Sequence, residues 1–505
     1  MLNFVIVFVV STCIAYIGYY QWTRRKIRAT FAKMNGPVSL PLIGNSYRLV
    51  KWTSQESIWR GMVELANSYE SPVGLNLGPV MHVLLYKPEH LQVVMNSPYC
   101  LNKAFQYSFL RVEKGIFAAP AHVWKDQRRI LNPTFGPVVV NSFIPIFNQK
   151  CTIFVDVLKE NYANRGPVDV LNALSKCTLD LICSTAFGLD FDLQRSADGD
   201  HFLSRQEEYV DIFIDRLVKP WFYPEFIYRL TKGYKRSMEI LEESKDRMKR
   251  VMDERNLNQN NNDAESLNEV SQDSYVKKPQ IFLDKLLELA QKNKELTDEH
   301  INQHLDTMVF AGNDTTAATM CSLLLMLAMH PDVQERVYQE IVQACPDKDK
   351  EVTMGEISHL PYTEMVCKET MRLFPVGPVI GRTSTADIKL DDNYTIPANT
   401  ALTMCIYMVH RNKEIWGADA DQFNPDHFLP EQVSKRHPYS FVPFSGGARN
   451  CIGIKYAWVA MKIMLVYVLR RYRLKTPLTM DTLKIKYTIV LKMVSGCLLS
   501  LEERQ

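Results

Sequence analysis

Phe444-Ser445-Gly446-Gly447-Ala448-Arg449-Asn450-Cys451-Ile452-Gly453 decides how this chain is read. A glycine-rich turn delivers one cysteine to the start of an apolar run that continues to Leu469. That run is apolar on nearly every face, so it predicts a buried helix. Gly446 and Gly447 have no Cβ, so the backbone can bend tightly and come close to a large flat partner. A cysteine at a helix N-terminus meets the positive end of the macrodipole and unpaired N–H groups, which favour thiolate over thiol. The geometry suits a thiolate ligand, where a cysteine taken at random would be an inert buried hydrophobe.

The surrounding chain sets bounds on that reading. With 505 residues, 46% of them hydrophobic, it can bury a large core. A net charge of +3 gives no sign of a nucleic-acid partner. The 11 cysteines are scattered without paired spacing, which argues against a disulfide framework and for a reducing compartment.

Three further stretches carry chemistry. Trp124-Lys-Asp-Gln-Arg128 puts an indole N–H and a guanidinium on one helix face, a donor pair for an anion. From Thr297 an apolar pattern runs unbroken to His330-Pro331, a helix long enough to cross the whole domain. At its middle lies Ala311-Gly-Asn-Asp-Thr-Thr-Ala317. Gly312 costs about 1 kcal/mol there relative to Ala, and Asp314 and Thr315 are unexpected on an apolar helix. Threonine hydroxyls can bond back to helix carbonyls. Glu369-Thr-Met-Arg372 is a carboxylate–guanidinium pair on one face, worth only about 0.2–0.5 kcal/mol at a surface.

Together these stretches resemble the cytochromes P450. Phe444 to Gly453 reproduces the haem-ligand loop, Phe-x-x-Gly-x-Arg-x-Cys-x-Gly. The resemblance implies a mainly α fold with a small β region around haem b, and makes Cys451 the ligand of the haem iron. A thiolate there pushes electron density toward O–O cleavage. Trp124, Arg128, Arg382 and Arg449 are the residues it sends to the haem propionates, with Arg favoured because its fork can bond both carboxylate oxygens. The run 311–317 resembles the oxygen-activation groove: Gly312 lets the helix lie close to the haem, Thr315 bonds the oxygen and Asp314 feeds it protons. Glu369 and Arg372 resemble the structural Glu-x-x-Arg pair. Their usual third member is an arginine, and His427 of Pro425-Asp-His-Phe428 stands in its place. The run from Asp306 to Thr316 is similar to family 4, the fatty-acid ω-hydroxylase clan. Ala311 departs from the glutamate that can bond covalently to haem in that clan, so a non-covalent haem is expected. Asn313 and His427 are reminiscent of insect members.

The implied activity is monooxygenation of an apolar substrate (a fatty acid, another lipid or a xenobiotic) with NADPH-derived electrons. The resemblance implies NADPH-cytochrome P450 reductase as the electron donor, with cytochrome b5 as an optional second donor, and the lack of a Gly-x-Gly-x-x-Gly motif in the sequence is consistent with a separate donor. By family position Phe310, Ala311, the region before Trp124, residues 376–381 and the stretch near Ile489 line the pocket. The alternative is a haem-thiolate isomerase or dehydratase, which needs no proton relay and often lacks the acid–threonine pair. A haem-free binding protein would show damage in the Cys451 loop.

Residues 1–23 contain no charged side chain and precede Arg24-Arg-Lys-Ile-Arg28. About 20 apolar residues span a bilayer, and positive charge keeps its side cytosolic. The expectation is a signal-anchor transmembrane helix over 1–23, a basic and proline-rich linker over 24–45, and a catalytic domain over 46–505 on the cytosolic face of the endoplasmic reticulum. Residues 72–86 read as two strands around Gly78-Pro79, Pro88 opens a helix, and the asparagine-rich stretch 256–278 reads as a surface loop.

Overall fold

The computed structural model describes residues 2–23, 25–40, 43–77, 80–266, 281–292 and 296–504. The N-terminal residues form a helix, α1 (Leu2–Thr23), that holds no charged residue. Its side chains are described only in part. Among the described residues no single helix is long and apolar enough to cross a membrane.

The two expected strands appear as β1 (Val73–Leu77) and β2 (Val80–Leu85), antiparallel from Val73 opposite Leu84 to Leu77 opposite Val80. The turn at Gly78-Pro79 lies outside the described residues. Pro88 occupies the first turn of α2 (Pro88–Asn96), where its missing N–H would have no helical acceptor anyway. Strands β3 (Asn102–Lys103), β4 (Val379–Thr383) and β5 (Ala401–Cys405) complete a sheet of order β1-β2-β5-β4-β3. Only the β2–β5 pair is parallel. This sheet joins distant parts of the chain, and its far edge sets Lys103 directly opposite Arg382.

The helical body holds α3 (Ala121–Leu131), α4 (Leu171–Phe187), α5 (Ala197–Val218), α6 (Lys232–Ser266), α7 (Asp298–Met329), α8 (Pro361–Leu373) and α9 (Ile454–Arg471). α7 is the predicted long helix at 32 residues, and α4 packs along it. Residues Thr316 to Ala328 of α7 and Val459 to Arg470 of α9 are continuously buried, as helices apolar on all faces must be. The asparagine-rich stretch departs from expectation: α6 runs on to Ser266, and only 267–280 lie outside the described residues. Asparagine is a modest helix former, and extending an established helix is far easier than starting one. Near the C-terminus β6 (Ile485–Thr488) and β7 (Val490–Met493) form a hairpin that turns at Ile489, φ 69°.

Candidate functional site

The cysteine loop closes on itself, with the Cys451 N–H donating to the Phe444 carbonyl at 3.0 Å. Ser445 and Gly447 take φ of 62° and 66°, and this is what turns the chain. A Cβ on Gly447 would collide with the Met95 carbonyl, and one on Gly446 would lie 2.8 Å from the Tyr439 ring. The glycines therefore serve close packing against the end of α2, where the sequence suggested approach to a flat partner. Helix α9 starts at Ile454, three residues after the cysteine, and Gly453 is its cap. Cys451 is the exposed cysteine among those described; the others are buried. Its residue surface is accessible while protein surrounds it on most sides. That burial raises the thiol pKa, and the Gly453 N–H, Arg128 and Lys103 oppose the rise.

Four cations gather beside this loop. Arg128, on α3, donates to the Asn450 carbonyl at 2.7 Å and to Asn450 Oδ1 at 2.8 Å, which ties the Trp124 helix to the cysteine loop. Arg449 donates to the carbonyls of Leu101, Ile116 and Ala119, and its guanidinium lies 4.4 Å from the centre of the Trp124 ring. Burial, with Arg382 and Arg128 nearby, pushes the Arg449 pKa down to about 9. Arg382 is 1% exposed, and its side chain makes one hydrogen bond among the described residues, to the carbonyl of its neighbour Gly381. Lys103 faces it across the β3–β4 ladder, and burial with Arg382 and Arg449 holds its pKa well below the ordinary lysine value. Like charges directly opposite each other destabilise a sheet. Among the described residues no carboxylate forms an ion pair with any of the four, and the Trp124 indole N–H has no hydrogen-bond partner. Holding partly or fully buried cations together without acids is costly, and an anion in their midst offsets that cost. The donor set fits a dicarboxylate beside an accessible thiol, as haem b requires.

On α7, Thr315 donates its hydroxyl proton to the Ala311 carbonyl at 2.6 Å, the back-bond its position suggested. A Cβ on Gly312 would lie 2.8 Å from Ile182, so the close approach that glycine permits is to α4. Asn313 locks the same face, accepting from Thr178 at 2.7 Å and donating to Gln206 at 3.2 Å. Asp314 pairs with Lys492 of β7 at 2.6 Å.

The sequence profile of the cytochrome P450 family matches residues 34–497. The chain belongs to the cytochrome P450 family. It is 32% identical over 476 residues to cytochrome P450 4c21 of Blattella germanica, covering 94% of this chain and 93% of that one. It is 30% identical over 489 residues to probable cytochrome P450 313a4 of Drosophila melanogaster, covering 96% and 97%. The expected likeness to insect, family 4-type members holds. As a cytochrome P450 the protein is a monooxygenase, with haem b held non-covalently through an axial cysteine thiolate.

The Glu-x-x-Arg pair of this P450 stands apart from the cation cluster. Glu369 and Arg372 are both 0% exposed and joined by two bonds of 2.7 Å. Arg372 also donates to the carbonyls of His410, Ala420 and Gln422. His427 Nδ1 reaches Glu369 at 3.1 Å, so the histidine does take the third place. Behind it Asp419 lies 3.3 Å from Nε2, a fourth member that the sequence reading missed. Lys103, Asn450 and Lys492 were missed as well. Asn450 adjoins the ligand cysteine in the quoted loop and could have been suspected. Lys103 and Lys492 carry no sequence signal, because strand register and hairpin placement alone bring them in.

Proposed function

We propose that this cytochrome P450 inserts one atom of O2 into an apolar substrate, a fatty acid, another lipid or a xenobiotic, with Cys451 as the haem ligand. The observation that carries the reading is the cluster of Arg128, Arg382, Arg449 and Lys103, with no ion-paired acid among the described residues, beside the exposed cysteine. Bound haem supplies O2 activation, helped by thiolate electron donation. The remaining work falls to the chain itself. Arg382 and Trp124 offer free donors to the propionates. Arg128 and Arg449 hold α3 and the segment before it against the cysteine loop and add positive charge. Phe444 closes that loop through its carbonyl.

Substrate, O2, two electrons and two protons give the hydroxylated product and water. Asp314 takes protons at its carboxylate and passes them to the Thr315 hydroxyl, which leaves the Ala311 carbonyl to receive them. Gly312 supports this pair by letting α7 sit tight on α4. The electrons come from NADPH through NADPH-cytochrome P450 reductase, with cytochrome b5 as an optional donor. The protein is held by α1 as a single-pass anchor in the endoplasmic reticulum membrane, with the catalytic domain cytosolic. The uncharged α1 followed by Arg24-Arg-Lys-Ile-Arg28 supports that placement. Retention of Asp314 with Thr315 disfavours the isomerase or dehydratase reading.

The first test is the carbon monoxide difference spectrum of the reduced protein. The red-shifted Soret band of thiolate-ligated haem is expected, and Cys451→Ser should abolish it completely; a variant that keeps the band would overturn the assignment. Turnover of a fatty-acid panel under 18O2 then checks the reaction. Product without the label would move the reading to an isomerase.

A further inference from the structure

Asn313 joins α7 to two helices that meet it in different ways. The residue is 1% exposed, and a buried amide is costly unless its polar atoms find partners. Oδ1 accepts from Thr178 of α4 at 2.7 Å, and Nδ2 donates to Gln206 of α5 at 3.2 Å. On the first side α4 packs along α7, with Ile182 close against Gly312. On the second side contact is sparse. A cavity of about 320 Å³ lies between α4, α5 and α7, and its wall includes Leu203, Gln206 and Val210 of α5, Ser175 of α4 and Asp314 of α7. Among the described residues, Asn313–Gln206 is the one hydrogen bond between α5 and α7, and the ion pairs of α5 all go elsewhere. Interdigitated side chains hold α4 in place, whereas the distance of α5 from α7 is set by the reach of one asparagine and one glutamine.

The same face of α5 is tied down once more, three residues on. Tyr209 donates its hydroxyl proton to the Leu110 carbonyl at 2.7 Å. α5 also touches residues 105–110 and β6. The first stretch lies before Trp124 and the second adjoins Ile489, and both regions belong to the substrate pocket by family position. We propose that Asn313 is a positioning residue that seats α5 on α7 and so sets the fit of the substrate pocket, a reading that rests on the pocket assignment of those two stretches. A wall held in place before binding leaves less to be ordered when a ligand arrives. Loss of the seat lets α5 shift across the cavity and carries its contacts with 105–110 and β6 along. Ligands that fill the pocket should feel that loss, and ligands that reach only the iron should not.

The test uses the full-length holoenzyme and two probes titrated by the Soret shift. Imidazole needs only the iron, and 1-dodecylimidazole adds a chain that fills the pocket. Wild type should prefer the long probe. In Gln206→Leu that preference should fall about 5-fold, the worth of one hydrogen bond, with imidazole binding unchanged within about twofold. Asn313→Leu should lose as much, and the double variant no more, because both changes remove the same bond. Exchanging the pair, Asn313→Gln with Gln206→Asn, keeps the combined reach and should recover the preference. The seat is overturned if Gln206→Leu keeps the wild-type preference, if both probes weaken equally, or if the exchanged pair stays as weak as Gln206→Leu. Equal binding of the two probes by wild type would sink the pocket assignment and the seat with it. No Soret shift with imidazole would instead sink the haem reading on which both stand. Should Asn313→Leu not accumulate, Gln206→Leu, at a half-buried position, carries the comparison with the exchanged pair.

Discussion

Arg372 and Arg382 are among the most deeply buried large side chains of the protein, yet their surroundings differ in kind. Arg372 meets a carboxylate through two parallel bonds and three backbone carbonyls through its other donors. Arg382 meets only the carbonyl of the preceding residue, with another cation across the strand and no acid within pairing distance among the described residues. Burying a charge is costly unless it is paired. The first arginine is complete within the chain and belongs to its architecture. The second is complete only with an anion from outside the chain, which marks it as a ligand group. Burial alone does not separate the two roles; the fate of each donor does.

The largest effect expected from this contrast is on folding. Arg372→Met leaves the Glu369 carboxylate buried without its main partner and strands three carbonyls, a loss of about 3–5 kcal/mol. Urea unfolding should show that loss, or folded protein should fail to accumulate. A variant within about 1 kcal/mol of wild type would break the contrast. Arg382→Met should do the opposite. Haem-free protein should unfold within about 1 kcal/mol of wild type, because an unpaired cation has been removed. Haem release to a scavenging apoglobin should quicken about 10-fold or more, the worth of a charge-assisted hydrogen bond.

A smaller effect is pH dependence. Burial would raise the Glu369 pKa, but Arg372 and His427 bring it below its ordinary 4.5. A carboxyl group with a depressed folded pKa stabilises fully above the unfolded value, and that stability is lost as pH falls through the folded one. Below pH 4.5 the wild type should therefore weaken by up to about 1.4 kcal/mol per pH unit from this group. Glu369→Gln should lack that component in acid-unfolding curves, and equal slopes would sharpen the contrast against Glu369.

Much of this was legible in the sequence. α7 and α9 are long and apolar, so periodicity and length found them. The pattern over 72–86, broken at Gly78-Pro79, marked the small sheet's first strands, and Pro88 marked the helix after them. Cys451, Arg128, Arg449 and Arg382 were each visible in a local motif, and the fold brings them together. What stayed hidden depends on contacts between distant segments. Lys103 matters because β3 pairs with β4, and Lys492 because a C-terminal hairpin docks on α7; neither pairing leaves a trace in its own neighbourhood. The glycines were visible, but their neighbours were not. Gly447 answers to Met95 and Gly312 to Ile182, and only the packed structure shows which surface each one admits.

His427 tests how far the Arg372 site is over-determined. The family pattern favours an arginine there, whose several donors would bond Glu369 directly. Histidine gives one bond of 3.1 Å, and its other nitrogen stands 3.3 Å from Asp419, aligned too poorly for a hydrogen bond. Glu369 keeps both bonds from Arg372 and a third from the Asn424 N–H at 2.8 Å whatever stands at 427. His427→Ala should therefore cost only about 1–2 kcal/mol in urea unfolding, well under the loss for Arg372→Met. Because the two side chains share one carboxylate oxygen, the double variant should fall short of the summed losses by about 0.5–3 kcal/mol. If His427→Ala were instead as damaging as Arg372→Met, the carboxylate would depend on the histidine. Arg372 would then no longer stand as a charge completed by its own contacts.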